Sequence, residues 1–312
     1  KVALFCNVEP SAVIQSIDVP SIYEVPLKMQ QQKLDEIVLQ KTGMPIKSTP
    51  ELKPWKEFLA RMKNATESVR IGLVGKYVEL PDAYKSINEA LFQAATYNDH
   101  KLDLKLIHSE KINKDNVEEM LGSMDGIIIA PGFGQRGIEG KFIALKYARE
   151  HDVPTFGICL GMQCMVIEFA RDVLGYADAN STEMEVSTNH NVIDLMESQK
   201  SISNMGGTMR LGEYDCILQE GSKAAKAYNS THIKERHRHR FEFNSDYRDE
   251  FEKAGMKCVG ENPDTHLVEV VEIPNLKWFV GVQYHPEYNS TVLKPNPLFV
   301  DFVKAAIENK KK

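Results

Sequence analysis

Positive charge is not in excess in this chain. Thirty-eight Lys and Arg stand against 44 Asp and Glu, a formal net charge of −6, so there is no general electrostatic case for a nucleic-acid partner. No apolar run approaches the ~20 residues that cross a bilayer, and no charged-then-apolar leader opens the sequence. Cysteine is scarce and irregularly spaced: Cys6, Cys159, Cys164, Cys216 and Cys258 are five in number. An odd set without a regular spacing does not make a disulfide framework, and a reducing, cytoplasmic setting is expected. The phosphate-binding pattern G-x-x-x-x-G-K-[ST] is missing, as are internal repeats and low-complexity tracts, and no metal site is assigned.

With 312 residues, 42% of them hydrophobic and 26% charged, the chain is long enough for one large core or two domains. The opening "KVALFCN" reads as a buried strand already under way, which suggests a chain that begins inside a larger protein. "SIYEVP" reads as extended and stopped by Pro26, and "LKMQQQKLDEIVLQKTG" as one helix ending at Gly43. Residues 1–43 are therefore expected to form one segment. Residues 44–68 hold three prolines before a short amphipathic stretch and read as a linker ending in a helix.

From residue 69 to the end a single domain is expected. Short apolar runs ("VRIGLVG", "DLKLIHS", "MDGIII", "VPTFGI") alternate with amphipathic stretches ("YKSINEALFQAATYN", "KFIALKYAREHD", "MQCMVIEFARDVLG"). That order predicts an α/β fold: three layers, with a mostly parallel central sheet and helices on both faces. Residues 185–204 read as polar and irregular, and the stretch from about Val186 to Arg210 as a loop able to close over a site. "KWFVGVQYHPE" reads as a late strand and "PLFVDFVKAAIENKKK" as a closing helix.

Ligands in such sheets sit beyond the carboxyl ends of the strands, where "APGFG" and "GICLG" fall. Gly157-Ile158-Cys159-Leu160-Gly161 ends an apolar run and opens a helical one. This is a strand-to-helix elbow with cysteine as the nucleophile. Its glycines allow close backbone passage, and the helix N-terminus favours a thiolate. An isolated cysteine is more often structural, the reading that fits Cys164. A nucleophile needs a base and an orienter. His285 precedes Pro286, which keeps it extended, so Glu287, two residues on, falls on the same side. The expected triad is Cys159, His285 and Glu287. The N–H groups of Leu160 and Gly132 are the candidate oxyanion donors, because Pro131 has none. In "ERHRHRFEFN" charged residues alternate as on a strand with one charged face. An arginine there can clamp a carboxylate, and an acidic residue such as Glu183 in "NSTE" can take an α-ammonium group. Those two, with an amide at Cys159, describe bound glutamine.

"GICLGMQ", "PGFG" and "HPE", in this order, resemble the class I glutamine amidotransferases. "GLVGKYVELPDAYKSINEAL", "NSTE", "MGGTMRLG", "ERHRHRFEFN" and "SIYEVPLKMQQQKLDEIV" narrow the resemblance to the CTP synthase family, essentially end to end. The resemblance implies glutamine hydrolysis at Cys159 with His285 and Glu287. Glutamine contacts would come from Gly132, Leu160, Gly161, Met162, Gln163, Glu183 and Arg240, the last chosen from the family pattern. It further implies ammonia transfer to a synthetase domain that aminates UTP to CTP with ATP and Mg2+, GTP as activator, and a homo-oligomer when intact; the glutaminase reaction itself needs no cofactor. Lys1, Ile17, Asp18 and Val19 match family positions near UTP and ATP, in a site expected to be incomplete without the rest of that domain. One departure stands out: where the family often has "PGGFG", Pro131 replaces the first paired glycine. The residues alone leave two alternatives open, a γ-glutamyl or peptide hydrolase on the same fold and a non-catalytic ligand-binding and assembly module.

Overall fold

The structure is a computed structural model that describes residues 1–47, 50–80, 82–195 and 209–310. The chain divides into two compact units, Lys1–Asn64 and Ala65–Lys312.

The first unit is helical, and here the sequence expectations need correction. The opening segment is a short helix, α1 (Val2–Phe5), not a strand. Its Leu4 and Phe5 are more than four-fifths exposed. A strand needs a neighbour for its backbone groups, and the described residues of this unit contain none. "SIYEVP" is a 3-10 turn (Ile22–Glu24) leading into α2 (Val25–Gln31). Pro26 stands in the first turn of α2, where its missing N–H would have had no helical partner in any case. The long helix expected next is broken: α3 (Leu34–Lys41) starts after Lys33, whose φ of 60° is left-handed. Residues 53–64 form α4 (Lys53–Asn64), which belongs to this unit. Its Trp55 donates Nε1–H to the Tyr23 carbonyl at 2.7 Å, and Phe58 meets the Tyr23 ring at 5.3 Å.

The second unit is the three-layer α/β fold, with a mostly parallel central sheet. Strands β1 (Ser68–Gly75), β2 (Lys101–His108), β3 (Gly126–Ile129) and β4 (Thr155–Ile158) come first, then β5 (Ile193–Leu195), β6 (Arg210–Leu218), β7 (His232–His239) and β8 (Phe241–Phe243). β9 (Lys257–Glu261), β10 (Val268–Glu272) and β11 (Phe279–Val282) complete the set. The main sheet runs β2-β1-β3-β4-β11-β10-β9-β6-β7. Pairing is parallel from β2 through to β11 and antiparallel from β11 to β7. β5 and β8 form a separate antiparallel pair, so part of the stretch read as irregular is strand. Residues 196–208, most of the expected closing loop, lie outside the described residues.

The parallel strands are apolar because both faces are covered. One core joins Ile127 and Ile129 of β3 to α7 (Ile138–Glu150) and α8 (Leu160–Asp172). The other joins Ile128 and Phe156 to α5 (Lys85–Tyr97) and α11 (Pro297–Lys310). The shorter helices of this unit are α6 (Val117–Leu121), α9 (Lys223–Tyr228) and α10 (Arg248–Ala254). The order β3-β4-β11 is what positions the site: the carboxyl ends of these neighbours lead to Pro131-Gly132, to Cys159 and to His285. Among the described residues no helix is long and apolar enough to cross a membrane.

Candidate active site

Cys159 occupies the turn between β4 and α8, with φ 52° and ψ −107°. A side chain held at positive φ is strained, and strain of this kind persists only where the surroundings enforce it. They do so through the flanking glycines. A Cβ on Gly161 would lie 2.1 Å from the Ile129 carbonyl oxygen, and one on Gly157 would lie 2.4 Å from Met165 Sδ. The backbone of α8 therefore starts directly against β3. The Cys159 N–H is also tied to the Val282 carbonyl of β11 at 2.7 Å.

Three residues beyond β11 stands His285, which is buried and has its N–H on the Arg236 carbonyl of β7 at 2.8 Å. Its Nδ1 lies 2.8 Å from Glu287 Oε1. A carboxylate at that distance selects the Nδ1–H tautomer and leaves Nε2 for the other side. Burial works against a charged imidazole. Cys159 and Glu287 outweigh it, and the pKa of His285 is raised, to about 11.

The sulfur borders a small recess lined by Gly132, Phe133, Cys159, Leu160, Gln163, Glu183, His239, Arg240 and Phe241. Five of the seven expected glutamine contacts thus converge on one space with the thiol: Gly132, Leu160, Gln163, Glu183 and Arg240. Gly161 and Met162 do not line it. Gly161 is spent on the close approach to β3, and the Met162 side chain is fully buried in the core. Glu183 Oε1 accepts the Gly134 N–H at 2.9 Å, which ties it to the glycine turn. Gln163 is anchored in the wall, donating to the Phe241 carbonyl at 2.8 Å and to Gln283 Oε1 at 3.1 Å. The other expected set lies in the first unit, where Lys1, Ile17 and Asp18 are exposed and Val19 is half-buried.

Sequence reasoning missed several neighbours. Lys141 of α7 is buried, with Nζ on the Ala130 carbonyl at 2.6 Å. Lys76 donates to the Phe133 carbonyl. Two lysine amino groups therefore grip the turn on either side of Gly132. Burial pushes the Lys141 pKa down. β7 alternates as expected, but with the arginines Arg236 and Arg238 outward and Glu235, His237 and His239 inward. Arg210 holds Glu269 at 2.6 Å, and Glu269 faces His237 at 3.5 Å. His237 meets His239 at 3.0 Å. The only sequence signal for this network was the histidine positions in "RHRHR". Cys164 is structural, its thiol pushed by burial up to about 11.

Residues 79–305 match the family model described as Glutamine amidotransferase class-I. The chain belongs to that family. Residues 1–44 match the model described as CTP synthase N-terminus. A CTP synthase of Bacteroides fragilis is 67% identical over 308 residues, covering 99% of this chain and 58% of that protein. One of Porphyromonas gingivalis is 65% identical over 312 residues, covering all of this chain and again 58% of the relative. The chain thus spans little more than half the length of these relatives. Among solved structures, the glutaminase domain of Trypanosoma brucei CTPS with bound acivicin superimposes with a TM-score of 0.73 at 37% identity, over 77% of this chain and 94% of that one.

Proposed function

We propose that this amidotransferase chain is the glutaminase portion of a CTP synthase, with Cys159 as nucleophile, His285 as base and Glu287 as orienter. One observation carries the reading: the strained Cys159 elbow faces an imidazole whose far nitrogen is held 2.8 Å from Glu287. Cys159 Sγ, its proton passed to His285, attacks the side-chain amide carbon of glutamine, forming a C–S bond and an oxyanion held by the N–H groups of Leu160 and Gly132. His285 delivers a proton to the amide nitrogen, ammonia departs and a thioester remains. His285 then takes a proton from water, which attacks the thioester. The C–S bond breaks and glutamate leaves. Glu183 and Arg240 hold the α-ammonium and α-carboxylate groups at the mouth of the recess.

In the whole protein the ammonia would aminate UTP to CTP with ATP and Mg2+, under GTP activation and in a cytoplasmic homo-oligomer. Residues 1–43 would be the end of the synthetase domain, 44–68 a linker and 69–312 the amidotransferase domain. The residues in hand do not fit a magnesium–nucleotide site. Among those described, no group of three His, Cys, Asp or Glu can hold a metal ion, and Asp18 is exposed. The resemblance of the bound-acivicin relative favours the glutamine reading over a general peptide hydrolase.

The test is glutamate release with and without GTP, by this chain and by this chain rejoined to a complete synthetase domain. Release that depends on Cys159, weak in the chain alone and coupled to CTP formation when rejoined, is expected. Glutamate turnover unchanged by Cys159→Ala would overturn the reading.

A further inference from the structure

Gln283 is the first residue beyond β11 and stands two before His285. It is fully buried, and its main chain is pinned by an N–H bond to the Glu269 carbonyl at 2.8 Å. Its side-chain Nε2 lies 3.6 Å from Cys159 Sγ. Which end of the amide faces the sulfur follows from what each partner can do. The Phe241 carbonyl only accepts, so the Gln163 group 2.8 Å from it is the NH2. That same NH2 lies 3.1 Å from Gln283, so Gln283 must present its oxygen there. Its NH2 is left for Cys159.

An N–H aimed at sulfur is worth little to a neutral thiol, a weak acceptor, and more to a thiolate, because charge-assisted hydrogen bonds are the strong ones. We propose that Gln283 is a further catalytic residue, an amide donor that stabilises the Cys159 thiolate both as it forms for attack and as it leaves the thioester. Gln163 is then a positioning residue that keeps the amide the right way round. The inference rests on Cys159 being the nucleophile. Other groups also face the sulfur. His285, backed by Glu287, stands after the same strand, and Lys141 acts from α7. Glu183, His239 and Arg240 line the recess. The Arg238 carbonyl, 3.9 Å away, acts in the opposite sense, as an acceptor for the thiol proton.

The test is the rate at which iodoacetamide alkylates Cys159, followed by peptide mass against pH, since Cys6 is exposed and also reacts. Gln283→Met keeps the bulk and removes the donor. Gln283→Glu turns an acceptor toward the sulfur, and Gln163→Met releases the orientation without touching it. Expected is alkylation about tenfold slower at pH 7 in Gln283→Met, recovering at alkaline pH so that the profile moves to higher pH. Gln283→Glu should move further and Gln163→Met less. Superimposable profiles for the parent and a folded Gln283→Met would overturn the proposal while leaving the nucleophile reading intact. Should Gln283→Met not fold, an unmoved profile in Gln163→Met overturns it in the same way. A parent in which Cys159 is not alkylated at all overturns the nucleophile reading and this inference with it.

Discussion

The backbone N–H of Cys159 is bonded to the carbonyl of Val282 at 2.7 Å. The residue that carries the thiol is therefore tied to the end of the strand that leads to His285, one step beyond the last β4–β11 pair. This coupling is why the site's parts should fail together.

Cys159→Ala and His285→Ala are each expected to lower glutamate release by roughly a thousandfold or more, and the double variant by little beyond that, because members of a triad act as a unit. Steady-state glutamate assays on the three variants check this. Losses that multiply would contradict a shared proton-transfer step.

Gly161→Ala and Gly132→Ala should differ sharply. At Gly161 the added carbon would sit 2.1 Å from the Ile129 carbonyl oxygen, whereas at Gly132 its nearest neighbours, Leu160 Cδ2 and Lys76 Cε, are at 3.6 Å. The first is an overpacked core position expected to lose about 2–3 kcal/mol. The second involves ordinary van der Waals contact and should hold the parent's stability. Urea midpoints of the two variants decide it.

Lys141→Met removes the desolvation cost of a buried amino group that burial has already made less basic, which offsets the hydrogen bond it also removes, so stability should change little. The Ala130 carbonyl loses its 2.6 Å partner, and with it the anchor of the turn that carries Gly132. Glutamate release is expected to fall about tenfold, mainly in kcat. A variant that is both stable and fully active would show that the anchor is dispensable.

The Glu242 carboxyl is pushed by burial up to about 8; Arg210 pulls it down and Glu269 pushes it further up. A carboxyl raised on folding takes up protons as the chain folds, so its stabilising contribution is complete below about 4.5 and is lost as pH rises through about 8. Glu242→Gln cannot titrate. It should match the parent near pH 5 and exceed it by roughly 1–3 kcal/mol near pH 9. Parallel stability–pH curves would refute the assignment.

The elbow around Cys159, the glycine turn after β3 and the His285–Glu287 pair were legible because each depends on local rules. Glycines mark close backbone approach, proline holds the residue before it extended, and period-two spacing puts His285 and Glu287 on one side. The parallel half of the sheet was legible for a similar reason: continuous apolar runs between amphipathic helices have few other ways to bury themselves. In the first unit the helix at the end of the 44–68 stretch was legible, but the opening segments were not. "KVALFCN" and "SIYEVP" carry strand-like composition, but a strand exists only with a neighbour, and none lies beside them among the described residues. The left-handed Lys33 that divides α2 from α3 left no mark in a continuous helical pattern.

By itself the sequence determined which groups could do chemistry and which strand ends would carry them, because nucleophile, base and orienter each need a particular side chain in a particular local geometry. Only the tertiary structure decided which of those groups share a space and what surrounds them. The β3-β4-β11 order, the Gln163–Gln283–Cys159 chain and the lysines beneath Gly132 join residues up to 124 positions apart. Contacts between distant segments follow from how layers pack, and no local pattern encodes them.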